Sequence, residues 1–229
     1  MRETRLVMIA ALAAWVVSAV VILAVHVDRN NALVQLPSLT PNQPVLNVVL
    51  GVLSYTPTVA MVPLVLFLLA RTGQSPSSLG LTRMSWADFG SGFGLAGAAY
   101  GCELILAVAY APLVHSRLLN STRVLHVPGY FAIIAVSYAA MTAVAEEVIV
   151  NGYLLTRLDQ LGWSPAKAFW LSLALRTSYH VYYGIGFLLT VPFGFFVTRS
   201  FQKHRKLNRP ILAHFLYDTT AFLFAIFVH

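Results

Sequence analysis

Three short stretches in the apolar C-terminal half of this chain carry ionisable side chains at regular spacings. "EEVIVNGYLLTRL" holds Glu146 and Glu147, "LRTSYHVYYG" holds Arg176 and His180, and "ILAHFLYD" holds His214 and Asp218. Arg176 and His180 are four residues apart, as are His214 and Asp218, so on a helix each pair shares a face one turn apart. Glu146 and Glu147 are adjacent and point about 100° apart on an α-helix. One of them aims at a shared centre, and the other meets a neighbouring partner, for which Arg176 is the natural candidate.

Burying a charge at the middle of a membrane helix costs at least about 2.5–3.5 kcal/mol, so such residues face a bundle interior or a wet cavity and mark function. The inventory is hydrolytic. A glutamate takes a proton from water, histidines orient that water or bind a metal, and a His/Asp pair supports an oxyanion. Each residue also has a plainer role. A single membrane histidine often bonds one helix to another, Asp218 can pair with Thr219 or Thr220, and Glu103 reads as structural because no partner pattern surrounds it.

The elements that position these groups follow from composition. Hydrophobic residues make up 58% of the chain, charged residues 10%, and mean hydropathy is +0.74. These values exclude an ordinary soluble domain and predict an all-α, polytopic membrane helix bundle. Apolar runs predict about seven spans, within a range of about six to eight. They are Leu6–Val27, Val45–Ala70, Phe89–Val114, Gly129–Leu155, Pro165–Tyr183, Ile185–Thr198 and Pro210–Val228. The first reads as a retained helix, since it ends at "HVDRNN" without a small-x-small cleavage site. The whole chain is one integral membrane domain, with helices that carry no motif over 1–128 and the motif-bearing core over 129–229.

Charge sets the expected orientation. An inside N-terminus collects Arg2, Arg5, Arg71, Arg83, Arg157, Lys167, Arg199, Lys203, Arg205, Lys206 and Arg209 in the cytoplasm and leaves Arg29, Arg117 and Arg123 outside. This bias predicts N-in and C-out topology in a plasma (inner) membrane. "RSFQKHRKLNR" then reads as an anchor near anionic lipid headgroups and not as a nucleic-acid patch. A lone cysteine, Cys102, excludes an intramolecular disulfide and a cysteine zinc cluster. Gly90, Gly94, Gly97 and Gly101 suit close helix contact, and Ser164-Pro165 is a helix start. "RNNALVQLPSLTPNQP" reads as an outer loop and "RTGQSPSSLGLTRMSW" as an inner one.

Taken in order, the three stretches resemble the motifs of the CPBP family, the Abi-type membrane proteins that include CAAX prenyl-protein endopeptidases and bacteriocin-processing relatives. That pattern is a double glutamate with arginine four residues after the second, then Phe-x-x-x-His, then His-x-x-x-Asn. The resemblance covers about residues 129 to 225 and implies an intramembrane endopeptidase with its site in a cavity between helices. Carried over, it makes Glu146 the base that activates water, assisted by His180. It gives oxyanion support to His214 and Asp218, and it makes Glu147 the second motif glutamate.

Three positions depart from the pattern. Asn151 stands at the arginine position, Arg176 at the phenylalanine and Asp218 at the asparagine. The first two are expected to compensate, with Arg176 restoring from a neighbouring helix the charge that Asn151 lacks. Straight helices leave a tension, since Glu146 and His214 fall toward the cytoplasmic half while His180 falls about 22 Å along its helix.

The favoured reading is hydrolysis of a membrane-associated peptide or protein without a metal. Zinc on Glu146, His180 and His214 is the alternative. A catalytically altered scaffold or immunity-type protein and a proton-coupled transporter are the competing functions. The expected partners are the substrate and the lipid bilayer, with no nucleic acid.

Overall fold

The structure is a computed structural model and describes residues 2–24, 43–110 and 129–227. The outer loop expected after the first span, Arg29, Arg117, Arg123 and the C-terminal ends of the first, third and last expected spans lie outside the described residues. Among the described residues every regular element of the chain is helical. Its α-helices are α1 (Arg2–Ala24), α2 (Pro44–Ser54), α3 (Thr56–Arg71), α4 (Trp86–Tyr110), α5 (Phe131–Glu146), α6 (Leu155–Gln160), α7 (Pro165–Ser178), α8 (Val191–His204) and α9 (Asn208–Phe227). The all-α membrane bundle read from composition is the observed fold class.

The expected spans differ in detail. Among the described residues, three helical segments are long and apolar enough to cross a membrane: Trp86–Ala109, Phe131–Gln160 and Asn208–Phe227. The run Val45–Ala70 divides at Tyr55, because Pro57 lacks an amide hydrogen and begins a new helix. The runs Pro165–Tyr183 and Ile185–Thr198 also fail to form two full spans. Helix α7 stops at Ser178, a 3₁₀ stretch occupies Val181–Thr190, and α8 runs on to His204. Gly184 and Gly186 are poor helix formers, and Pro192 restarts the α-helix at its first turn. At 14 residues each, α7 and α8 are about 21 Å long and shorter than a bilayer core. Helix α7 begins as expected, with Pro165 in its first turn and Ser164 Oγ accepting from the Lys167 amide at 3.4 Å.

Helix α5 continues without a break through Glu147–Leu154 into α6, and that middle stretch is wound as a π-helix. π-Helical turns carry i→i+5 bonds and recur at functional sites. All eight residues of this stretch are buried. Val148, Ile149, Val150, Tyr153 and Leu154 pack with Val65, Leu69, Leu79, Phe201 and Leu207 to form the main core. Helix α9 packs along both α4 and α5, and α8 packs against α7, α4 and α9. The glutamate-bearing helix is therefore central.

Helix α4 turns the opposite way, exposing Phe93, Leu104, Ile105 and Val108. A Cβ on Gly90, Gly94, Gly97 or Gly101 would meet nothing within 4 Å. The close helix contact expected at these glycines is therefore not made with any described residue. It occurs at Gly92 instead, where a Cβ would lie 2.8 Å from Leu212 of α9.

One end of the bundle is clamped by loops. The Leu207 amide donates to Gly80 O at 2.9 Å and Asn208 Nδ2 to Thr82 O at 2.6 Å. Gly80 has φ +78°, and a Cβ there would lie 2.5 Å from Arg205 O, so both the turn and the close approach require glycine. The fully buried Asp88 joins the starts of α4 and α9 through Ser85 Oγ at 2.7 Å and Arg209 Nε at 2.9 Å.

Candidate active site

The π-helical stretch presents Glu147 and Asn151, preceded by Glu146, to the faces of α7, α8 and α9. Glu147 is fully buried and has three partners. Its Oε1 lies 2.7 Å from Arg176 Nη2 and 2.9 Å from His214 Nδ1, and its Oε2 accepts from Asn151 Nδ2 at 2.5 Å. The contact with Nη2 is an ion pair by distance, without an aligned hydrogen bond. Glu146 is 6% exposed. Its Oε2 accepts from Tyr179 Oη at 2.5 Å and stands 3.5 Å from Arg176 Nη1.

The expected division of labour between the glutamates is thus modified. They diverge along the helix, yet both meet one guanidinium, because its two arms span the gap. Arginine can do this where lysine, a point charge, cannot. Arg176 itself is 2% exposed and is held from below by the Phe193 ring, 5.7 Å from its Cζ. The nearest glycine, Gly194, makes the room: a Cβ there would lie 3.0 Å from Arg176 Cδ.

His214 on α9 bridges two carboxylates. Its Nδ1 faces Glu147, and its Nε2 lies 3.3 Å from Asp218 Oδ2, one turn further on. Phe193 packs 4.9 Å from the His214 ring and 4.7 Å from Tyr217. His180 stands at the edge of this cluster. Its Nδ1 lies 3.0 Å from Arg176 O, and its ring is 4.7 Å from that of Tyr179. The 22 Å tension does not arise, since Arg176, one turn before His180, touches both glutamates. Helix α7 starts at Pro165, packs beside α6 and the π-helical stretch, and reaches the glutamates near its own C-terminus.

Asn151 does more than leave a charge out. Its Oδ1 accepts from Thr198 Oγ1 at 3.0 Å and from Ser172 Oγ at 3.4 Å, so its amide ties the π-helical stretch to α7 and α8. With Nδ2 given to Glu147, the amide orientation is set by its partners.

Sequence reasoning did not single out Tyr179, Thr198, Ser172 or Phe193. Thr198 and Ser172 gave no signal, being ordinary helix residues. Tyr179 was legible in principle, since a buried hydroxyl three residues after Arg176 shares its face. Glu103, read as lacking a partner, receives a short hydrogen bond from Tyr217, whose ring stacks on Tyr100 at 4.4 Å.

In the arrangement observed, these side chains are not gathered as a ligand set for the zinc alternative. Among the described residues, no group of three or more His, Cys, Asp and Glu could hold a metal ion. Glu146 is turned to Arg176 and Tyr179, while His214 is taken up by Glu147 and Asp218.

Comparison with known proteins bears on the same part of the chain. No curated protein and no solved structure matches it significantly. Residues 128–220 do match a family model, that of the type II CAAX prenyl endopeptidases described as Rce1-like. The resemblance to the CPBP/CAAX protease family carried by the three motifs is accordingly shown over this segment, which holds every residue of the cluster.

Proposed function

We propose that the protein is a CAAX-type intramembrane endopeptidase that cleaves a peptide bond of a membrane-associated protein or peptide with a glutamate-activated water and no metal. The observation that carries this reading is the buried cluster itself. A glutamate pair sits in a π-helical stretch, clamped by Arg176 from one helix and His214 from another. Glu146, the less enclosed of the two, takes a proton from water. The water oxygen attacks the carbonyl carbon, and the proton passes on to the departing amine. His180, one turn beyond Arg176, assists at the water.

His214 supports the oxyanion as a hydrogen-bond donor through Nε2, which turns from Asp218 to the oxyanion once substrate is bound. Asp218 orients His214 through Nε2 and needs a proton of its own to face an oxyanion directly. Glu147 holds the helices in register, and Arg176 supplies the cation that Asn151 does not. The positive-inside bias supports an inner-membrane location with the N-terminus in the cytoplasm.

A second reading has its own observation. Asp218 lies against His214 where the family pattern has asparagine, and an ionised carboxylate there opposes oxyanion binding. A catalytically altered scaffold is consistent with that.

The deciding experiment is cleavage of a fluorogenic peptide library, including prenylated C-terminal peptides, by the purified chain in detergent. Wild type is compared with Glu146→Ala, with and without a strong chelator. Activity lost in the variant and kept with chelator supports the metal-independent protease. Loss with chelator as well brings a metal back. A folded but inactive wild type favours the scaffold.

A further inference from the structure

We propose that Tyr179 is a positioning residue for the reaction, holding one carboxylate oxygen of Glu146 so that the other faces the water. The inference rests on the reading of Glu146 as the base and adds the residue that aims it.

Tyr179 Oη donates to Glu146 Oε2 at 2.5 Å, while the Arg176 arm toward the same oxygen is 3.5 Å away. Arg176 makes its closer approach to Glu147. The phenol is therefore the closest donor to Glu146 among the described residues. A charge-assisted hydrogen bond of this kind is about twice as strong as a neutral one. It fixes a carboxylate whose other support is a longer ion pair.

The plainer account is that Tyr179 is a core aromatic, and its ring does pack into the main core. That explains the ring and not the hydroxyl. A phenylalanine would fill the same core, whereas the hydroxyl reaches into the charged cluster of Glu146, Glu147 and Arg176.

The backbone delivers it there. Helix α7 ends at Ser178, and Tyr179 and His180 follow with φ, ψ of −83°, 2° and −101°, 3°, where the helix gives way to the 3₁₀ stretch. The phenol and the imidazole thus leave the helix side by side, their rings 4.7 Å apart. Glu146 Oε2 is taken by Tyr179, so the proton from water goes to Oε1 and Tyr179 keeps its own.

The test uses the full chain in detergent and compares wild type with Tyr179→Phe. The peptide cleaved best in the library supplies the kinetics. Infrared spectra with ¹³C-labelled glutamate read the carboxylates directly, the glutamates being Glu3, Glu103, Glu146 and Glu147. In Tyr179→Phe, kcat is expected to fall about ten- to a hundredfold with KM within about twofold, because orientation is lost and binding is not. A glutamate carboxylate band is expected to move in Tyr179→Phe relative to wild type, and to show no such difference when both proteins carry Glu146→Gln.

An unmoved band overturns the hydrogen bond. A moved band with unchanged kcat overturns the positioning role. An inactive wild type sinks the protease reading and this role with it, while the band still decides the hydrogen bond. If Tyr179→Phe does not fold, fluorinated tyrosine at the same position keeps the hydroxyl, alters its donor strength and carries both readouts.

Discussion

Arg176 Nη2 lies 2.7 Å from Glu147 Oε1, although the two residues sit on different helices and neither is more than 2% exposed. The ion pair is buried on both sides, and its geometry is shared, since the same guanidinium also reaches Glu146. Removing one partner of a buried pair leaves an uncompensated charge, which costs about 3–5 kcal/mol.

Arg176→Phe, which restores the family residue at that position, is therefore expected to lower the unfolding free energy by about 3–5 kcal/mol and to abolish cleavage. Adding Asn151→Arg is expected to recover part of both, because an arginine one turn after Glu147 reaches the same carboxylate. Thermal melts and peptide cleavage on the single and double variants check this. A double variant as unstable and inactive as the single would falsify the compensation.

Glu146→Gln keeps the shape of the side chain and removes the base. Its kcat is expected to fall by about 10²–10⁴, with the melting temperature close to wild type because Tyr179 can still donate to the amide oxygen. Glu147→Gln is expected to lower stability as well, since Arg176 and His214 both lose their carboxylate. Equal behaviour of the two variants in melts and kinetics would remove the distinction between base and clamp.

Asp218→Asn replaces the carboxylate 3.3 Å from His214 Nε2 with a neutral amide that donates a hydrogen bond. Steady-state kinetics are expected to show kcat/KM raised several-fold, because a negative charge beside the developing oxyanion is gone. His214→Ala is expected to lower kcat by about 10²–10³, the usual effect of losing an oxyanion donor. A drop in Asp218→Asn to the His214→Ala level would instead make the carboxylate essential.

Gly194→Ala tests the fit around Arg176 without touching a charged group. Its new Cβ would lie 2.8 Å from Leu173 Cδ1 and 3.0 Å from Arg176 Cδ. The overpacking is expected to cost about 1–3 kcal/mol and to reduce cleavage more than that cost implies, because Arg176 shifts away from the glutamates. Activity that simply tracks the folded fraction would show that Arg176 does not need its present place.

Much of the site was legible in the sequence because helical spacing is local. Arg176 with His180 and His214 with Asp218 follow from four-residue intervals, and buried charges in an apolar chain must find one another. Set against the family pattern it resembles, Asn151 left a cation missing, and with few cations at that depth Arg176 was the natural candidate to replace it. The all-α membrane class followed from composition alone, since 58% hydrophobic residues cannot be enclosed by so few polar ones.

The rest depended on how separate helices meet, which no local interval encodes. Only the tertiary structure decided that one guanidinium serves both glutamates, that Tyr179 is the donor to Glu146, and that Asn151 ties α7 and α8 through Ser172 and Thr198. It also decided that α7 and α8 are short, joined by a 3₁₀ stretch, and that α4 turns Gly90, Gly94, Gly97 and Gly101 outward. Apolar runs reveal where backbone can be buried, whereas crossing points and helix ends are set by side-chain packing between distant segments.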